Sequence, residues 1–287
     1  MAHNTLNIKK TTRFTLLTTS LLLTLASTAN ASIIVTYAEA PTQETTSLTD
    51  TNVYTFNNLT AGQKYTNLAW TDGSGNTIGT FNSLYVNAAD QYGGAVDASH
   101  PNGSNYAVES ASVGGSNHVE VSTLTLSTAS AYFGFWWSAG DANNEVDFYN
   151  GTTLEAAFTT ASLMSTLPKT YDGNPRSPST LDPNEPFAFI NFYAMNGITF
   201  NKIVFTDTQS SGFEADNYTV RTQAWGSVAG ESGSTPGNFL ESVTGSNVST
   251  AAVPEPGTTL LLLVGMAAIG GVRRMKQTAQ NSGLVAA

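Results

Sequence analysis

The chain has 287 residues, with 21 Asp and Glu against 11 Lys and Arg, and no cysteine. Nucleic acids and anionic membrane surfaces are bound through clustered positive charge, so a formal net charge of −10 points away from both. Without cysteine there is no disulfide stapling, thiol catalysis or cysteine–zinc chemistry, which leaves burial, hydrogen bonds and bound ions to hold the fold.

At the N-terminus Lys9, Lys10 and Arg13 precede an apolar stretch from Phe14 to Ala26, and Ala29-Asn30-Ala31 completes a small-x-small cleavage pattern. This is the layout of a secretory signal, so residues 1–31 are expected to form a signal helix removed on export. Between Ser32 and Val253 the charge balance is −15, which suits solubility, calcium or uncharged ligands.

Residues 32–225 read as one all-β domain. Charged residues are sparse, Thr, Ser, Asn and Gly are abundant, and apolar residues recur at period two. Strand candidates include "VYTFNNL", "QKYTNLAW", "HVEVSTLTLS", "AYFGFWWSAG", "EVDFYNG", "TLEAAFTT", "FAFINFYAM", "ITFNKIVFTDT" and "NYTVRTQAW". In "HVEVSTLTLS" the apolar phase changes between Val121 and Leu124, predicting a bulge near Ser122-Thr123. In "AYFGFWWSAG", Phe133, Phe135 and Trp137 share one face and Tyr132, Gly134 and Trp136 the other, with a short turn at Thr128 to Ser130 joining this strand to the one before. Asn150-Gly151 is the clearest two-residue hairpin signal. "TASLMSTL" is long enough for about one helical turn, and a proline-rich loop follows. The strand number favours a two-sheet antiparallel β-sandwich, jelly-roll-like rather than immunoglobulin-like. Residues 226–252, rich in Gly, Ser and Thr, read as a flexible linker.

Three constellations could carry chemistry. Asp141, Asn143, Asn144, Glu145 and Asp147 echo a calcium loop, but Val146 and Thr152 stand where such a loop needs glycine and an acid, so a turn reading is preferred. Trp136 and Trp137, with Tyr149 and Asp141 nearby, are candidates for sugar stacking and hydroxyl binding, because both tryptophans cannot share one sheet face. The weighed alternative is that both fill the core. "FEADNYTV" resembles the closing strand of calcium-binding jelly-roll modules; that resemblance implies Asp216 as a structural calcium ligand, with Glu214 or Asn217 beside it. Catalysis has less support. Glu145 and Asp147 are the one carboxyl pair spaced for glycoside hydrolysis, an i, i+2 relation that any strand produces. His100 and His118 have no nucleophile elbow, and a noncatalytic protein is expected.

After the linker come Val253-Pro254-Glu255-Pro256, an apolar run over 258–272, then Arg273, Arg274 and Lys276. Fifteen helical residues span about 22 Å, short of a hydrocarbon core of about 30 Å, so the expected single hydrophobic helix is marginal as a permanent span. The basic cluster should stay cytoplasmic, and residues 277–287 read as a disordered tail. The order of parts over 253–276 resembles the PEP-CTERM sorting signal. The resemblance implies export, transient retention in the inner membrane, and processing near Pro254, Glu255 and Pro256 by an exosortase. It also implies a final place on the cell surface or in the extracellular matrix of a Gram-negative bacterium that makes exopolysaccharide and biofilm. "QYGG" (Gln91 to Gly94), "YFGFWWSAGDANNEVDFYNG" (Tyr132 to Gly151) and "GFEADNYTV" (Gly212 to Val220) resemble signature blocks of a family of exosortase-dependent surface proteins, from which no activity is carried over. Extracellular polysaccharide is the expected partner.

Overall fold

The computed structural model describes residues 32–97, 99–109, 119, 121–176, 181–207 and 212–244. The expected signal helix, the hydrophobic helix, the basic cluster, the tail and His118 all lie outside the described residues. Among those that are described, no helix is long and apolar enough to cross a membrane.

The strands are β1 (Ile33–Tyr37), β2 (Asn52–Tyr54), β3 (Gln63–Thr71), β4 (Thr77–Asn87), β5 (Tyr106–Glu109), β6 (Val121–Ser130), β7 (Tyr132–Ser138), β8 (Asn144–Asn150), β9 (Thr153–Thr159), β10 (Ala188–Ala194), β11 (Phe200–Asp207), β12 (Phe213–Arg221) and β13 (Asn238–Val243). Among the described residues, helix is limited to α1 (Ala161–Thr166), in the "TASLMSTL" stretch, and one 3-10 turn at Lys169–Tyr171. The chain is therefore all-β and antiparallel, as its composition predicts.

Two separate sheets do not form. The strands follow one hydrogen-bonded path, β13-β1-β10-β7-β12-β5-β4-β6-β11-β8-β9, with β2 on β12 and β3 on β4. The physical reason lies in β5, which pairs with β12 through Phe213↔Glu109 and with β4 through Tyr85↔Val108, so one short strand joins what would otherwise be two sheets. The path curls until its end strands β13 and β9 touch, giving a nearly closed, barrel-like wall.

The curl is filled by aromatic residues at alternate strand positions. Phe133 and Phe135 on β7, Phe192 on β10 and Tyr218 on β12 meet Phe148 on β8, Phe158 on β9 and Phe205 on β11. Phe148 and Phe192 have ring centroids 4.8 Å apart, and Phe205 and Tyr218 are 4.9 Å apart. Such pairs add about 0.5–1.5 kcal/mol each beyond their burial, which gives a chain without disulfides much of its cohesion.

Several local expectations are corrected. The turn expected at Thr128 to Ser130 does not form there: these residues belong to β6, only Ala131 separates it from β7, and the two strands are not partners, β6 pairing with β4 and β11 and β7 with β10 and β12. No bulge occurs at Ser122-Thr123. Ser122, Leu124 and Leu126 continue inward in phase, Val121 points to solvent, and the register shift lies further along, opposite Phe200 and Lys202. Residues 226–244, expected as the first part of a flexible linker, pack against the wall. Thr36 Oγ1 and Tyr193 Oη donate to the Pro236 carbonyl at 2.7 and 3.3 Å, and β13 then pairs with β1, Ile33 facing Val243. The β8–β9 hairpin forms, but its two-residue loop is Gly151-Thr152 rather than Asn150-Gly151, because Asn150 still pairs with Thr153 at the end of β8; Gly151 has φ +60°.

Candidate functional site

Along β12, Phe213 and Ala215 enter the core, so Glu214 and Asp216 project from the other face of the wall. That face is roofed rather than open. The loop after β4 is fastened to Asp216: the Ala95 amide donates to Oδ2 at 2.9 Å, the Ser104 hydroxyl donates to the same oxygen, and the Asn217 amide donates to Oδ1 at 2.7 Å. Asn217 sits at φ +51° where the β12–β7 register shifts, and its side chain donates to the Glu44 carbonyl at 2.9 Å. Glu44 in turn accepts from the Val96 amide. From the far side Arg176 donates to the carbonyls of Asn102 and Asp90 at 2.5 and 2.6 Å. In the "QYGG" block Gly94 has φ +96° and lies so close to the Ser104 carbonyl that a Cβ would collide with it. The loop can approach Asp216 only with glycine there.

The "SAGD" turn is built on the same plan. Trp137 Nε1 donates to Asn144 Oδ1 at 2.8 Å, and Asn144 Nδ2 donates to the Gly212 carbonyl at 2.9 Å, tying the start of β8 to the start of β12. Gly140 lies against the Trp137 indole, where any Cβ would strike the ring. The three blocks set apart in the sequence thus converge on one region and interlock.

Electrostatics follow from the roof. Burial pushes Asp216 up to about 8, against the lowering effect of its three donors. Burial likewise raises Glu44 to about 7 and Glu214 well above the carboxylate range, the latter helped by Asp141, Glu185 and Asp90. Glu185 reaches about 8 through burial and its contact with Asp182. Water is excluded and like charges face one another, so these groups hold protons near neutral pH.

The expected site residues are therefore sorted as follows. Trp136 and Trp137 are 1% and 0% exposed. Trp137 fills the core, while Trp136 packs on the opposite face with Ala95, Phe187 and Phe189 beneath the roof. Neither offers a ring to a sugar, and that expectation is corrected. Asp141 stands near Glu214 and Glu185 rather than beside a tryptophan platform. Tyr149 lies elsewhere, on the outer side of β8, with Lys202 Nζ 4.0 Å from its ring centroid. Asp216 is a hydrogen-bond hub with both oxygens engaged, and Asn217 serves the local turn. Among the described residues no three His, Asp or Glu side chains converge to hold a metal ion, so the arrangement gives no support to calcium at Asp216, Glu214 and Asn217. Glu145 and Asp147 hydrogen-bond to each other along β8, and burial with the Glu145 charge raises Asp147 to about 6. They project side by side from one strand rather than facing each other across a cleft. His100 is exposed beside Asp97 and Asn57.

Glu44, Ser104, Glu185 and Arg176 also belong to the site, and nothing in the sequence announces them. They sit in irregular segments that reach β12 from far along the chain, where no periodicity reports contact.

Beyond the described β wall, residues 252–276 match the family model of the PEP-CTERM protein-sorting motif. The chain carries a PEP-CTERM sorting signal. Pro254, Glu255, Pro256, Arg273, Arg274 and Lys276 all fall within the matched PEP-CTERM segment, which implies export, processing by an exosortase and placement at the cell surface. No curated protein matches the chain. Among solved structures, the catalytic domain of a GH87 alpha-1,3-glucanase in complex with tetrasaccharides aligns at 11% identity over 70% of this chain and 30% of that one, with a TM-score of 0.28. This PEP-CTERM chain thus spans under a third of that domain's length, and a likeness so slight carries no argument about activity.

Proposed function

We propose that the protein is a noncatalytic, exosortase-processed component of the cell surface or extracellular matrix, with a structural or adhesive role linked to exopolysaccharide or biofilm. The observation that carries this reading is the sorting motif at 252–276, placed directly after a β wall whose last strand ends at Val243. The interior of the domain supports it. Its signature aromatics and carboxyls are taken up by packing and by hydrogen bonds to the roof, a use suited to a durable displayed module. The inner membrane is a transient stop in this scheme, because the apolar run is too short for a comfortable permanent span.

The test is fractionation of cells making the full chain, a chain lacking residues 253–287, or the full chain without exosortase. The full chain should reach the surface or matrix in shortened form. The truncated chain should appear folded in the medium, and the exosortase-free cells should keep the long form in the inner membrane. Surface retention of the truncated chain would overturn the sorting role, and an unchanged matrix after deletion of the whole protein would overturn the structural one.

A further inference from the structure

We propose that a hydroxyl-lined cavity at one end of the barrel binds a neutral sugar ring, such as the terminal unit of a glycan. The cavity lies where β2 and β4 begin and β6 and β12 end. Its floor is formed by buried Ser130, Val220 and Arg221, its walls include Asn52 and Ile78, and its rim carries Asp50 and exposed hydroxyls, among them Thr77 and Thr128.

The chemistry of this lining selects a ligand class. Hydroxyl and amide groups both donate and accept, as a polyol requires, while Ile78 and Val220 offer the apolar surface against which ring C–H groups pack. Arg221 is fully buried and its charge is balanced in place: Nη1 and Nη2 donate to the two Glu231 oxygens at 2.6 and 2.9 Å. Its Nε is buried without an acceptor among the protein's atoms, so the hydrogen-bonding capacity open to a ligand is that of the lining hydroxyl and amide groups. With the guanidinium neutralised, Asp50 is the one uncompensated charge in the lining, and anions are disfavoured. Size points the same way. The volume of about 110 Å³ is somewhat below the roughly 150 Å³ of an enclosed cavity that admits a benzene ring. One six-membered ring can therefore seat its edge here and continue into solvent, whereas drug-sized ligands need about 300 Å³ or more.

The site deepens the proposed matrix role and rests on it only for the source of the glycan. Binding is best followed by amide chemical shifts of the purified exported protein, titrated with methyl glycosides of glucose, galactose, mannose and N-acetylglucosamine, and with glucuronate and sulfate. A neutral glycoside should give saturable shifts at Asn52, Thr128, Val220 and Thr222. Thr128→Trp, which fills the mouth from an exposed position, should weaken binding about tenfold with an unchanged melting temperature. Thr77→Trp on the rim provides a second blocking variant should the first fail to fold. No saturable shift with any neutral glycoside, equal shifts in a folded blocked variant, or preference for glucuronate or sulfate would overturn the proposal. Because the measurement does not involve the tail, a protein that is sorted correctly but binds no sugar loses this site and keeps its proposed role.

Discussion

Glu109 lies in β5 with both carboxyl oxygens buried and no hydrogen-bond partner on any other residue. Burial, and then the nearby Asp207, push it up to about 8. Asp216 is raised to about 8 and Glu44 to about 7, in both cases chiefly by burial. An acid whose folded pKa exceeds its unfolded value of about 4 binds its proton more tightly when folded. Its favourable contribution is complete below the unfolded value and is lost as pH rises toward the folded one, here across the window from about 4 to about 8. The domain should thus melt at a lower temperature at pH 8 than at pH 5, the reverse of acid denaturation driven by paired carboxylates. Replacing Glu109 with Met removes an unsatisfied buried group, so Glu109→Met should stabilise the protein at pH 8 by about 1–3 kcal/mol and by less at pH 5. Urea unfolding at the two pH values checks this, and a variant less stable than the parent at pH 8 would refute it.

At the level of elements, the stretch between β12 and β13 behaves as a strap. It leaves Arg221, is fastened by the Arg221–Glu231 pair, rests Trp225 against Tyr193 and delivers β13 to the edge of β1. Arg221 is buried and Glu231 only partly so; losing the acidic partner leaves the buried guanidinium uncompensated, which for a fully buried pair costs about 3–5 kcal/mol. Glu231→Gln keeps one acceptor and should fall near the lower bound, about 3 kcal/mol in urea unfolding, with new protease cleavage between residues 224 and 237. An unchanged midpoint and an uncut strap would count against the fastening. This element also marks the limit of what the sequence discloses. Period-two alternation located nine of the thirteen described strands, assigned the two faces of β7 correctly and identified the β8–β9 hairpin, because these follow from local geometry, whereas β1, β4, β5 and β13 were not among the candidates. Gly, Ser and Thr content suggested a linker at 226–252, since composition does not report that Glu231 meets Arg221 or that Pro236 meets Thr36. The same holds for the tryptophans. Alternation showed that Trp136 and Trp137 face opposite ways, while the burial of both depends on a roof drawn from distant irregular segments. The single path likewise turns on β5, four residues whose two partners no local pattern names.

For the whole molecule, the packed strap changes how the domain is held. A flexible stretch over 226–252 would let the domain range far from its sorting signal. With β13 ending at Val243 and the matched motif starting at 252, only residues 244–251 connect them, and eight extended residues reach at most about 29 Å. β1 begins at Ile33 directly opposite Val243, so the first and last strands leave the wall at the same point. The sorting segment therefore continues from the end of β13, an edge strand with exposed Phe239 and only Val243 buried. Deleting residues 245–250 should bring the wall against the processing enzyme, so that either the processed fraction falls or β13 peels and its amides lose hydrogen-exchange protection. Inserting an equal length of Gly-Ser at the same place should change neither. A deletion variant processed at the parental rate with β13 still protected would mean that the connection is not limiting and that the enzyme reaches its motif without clearance from the β wall.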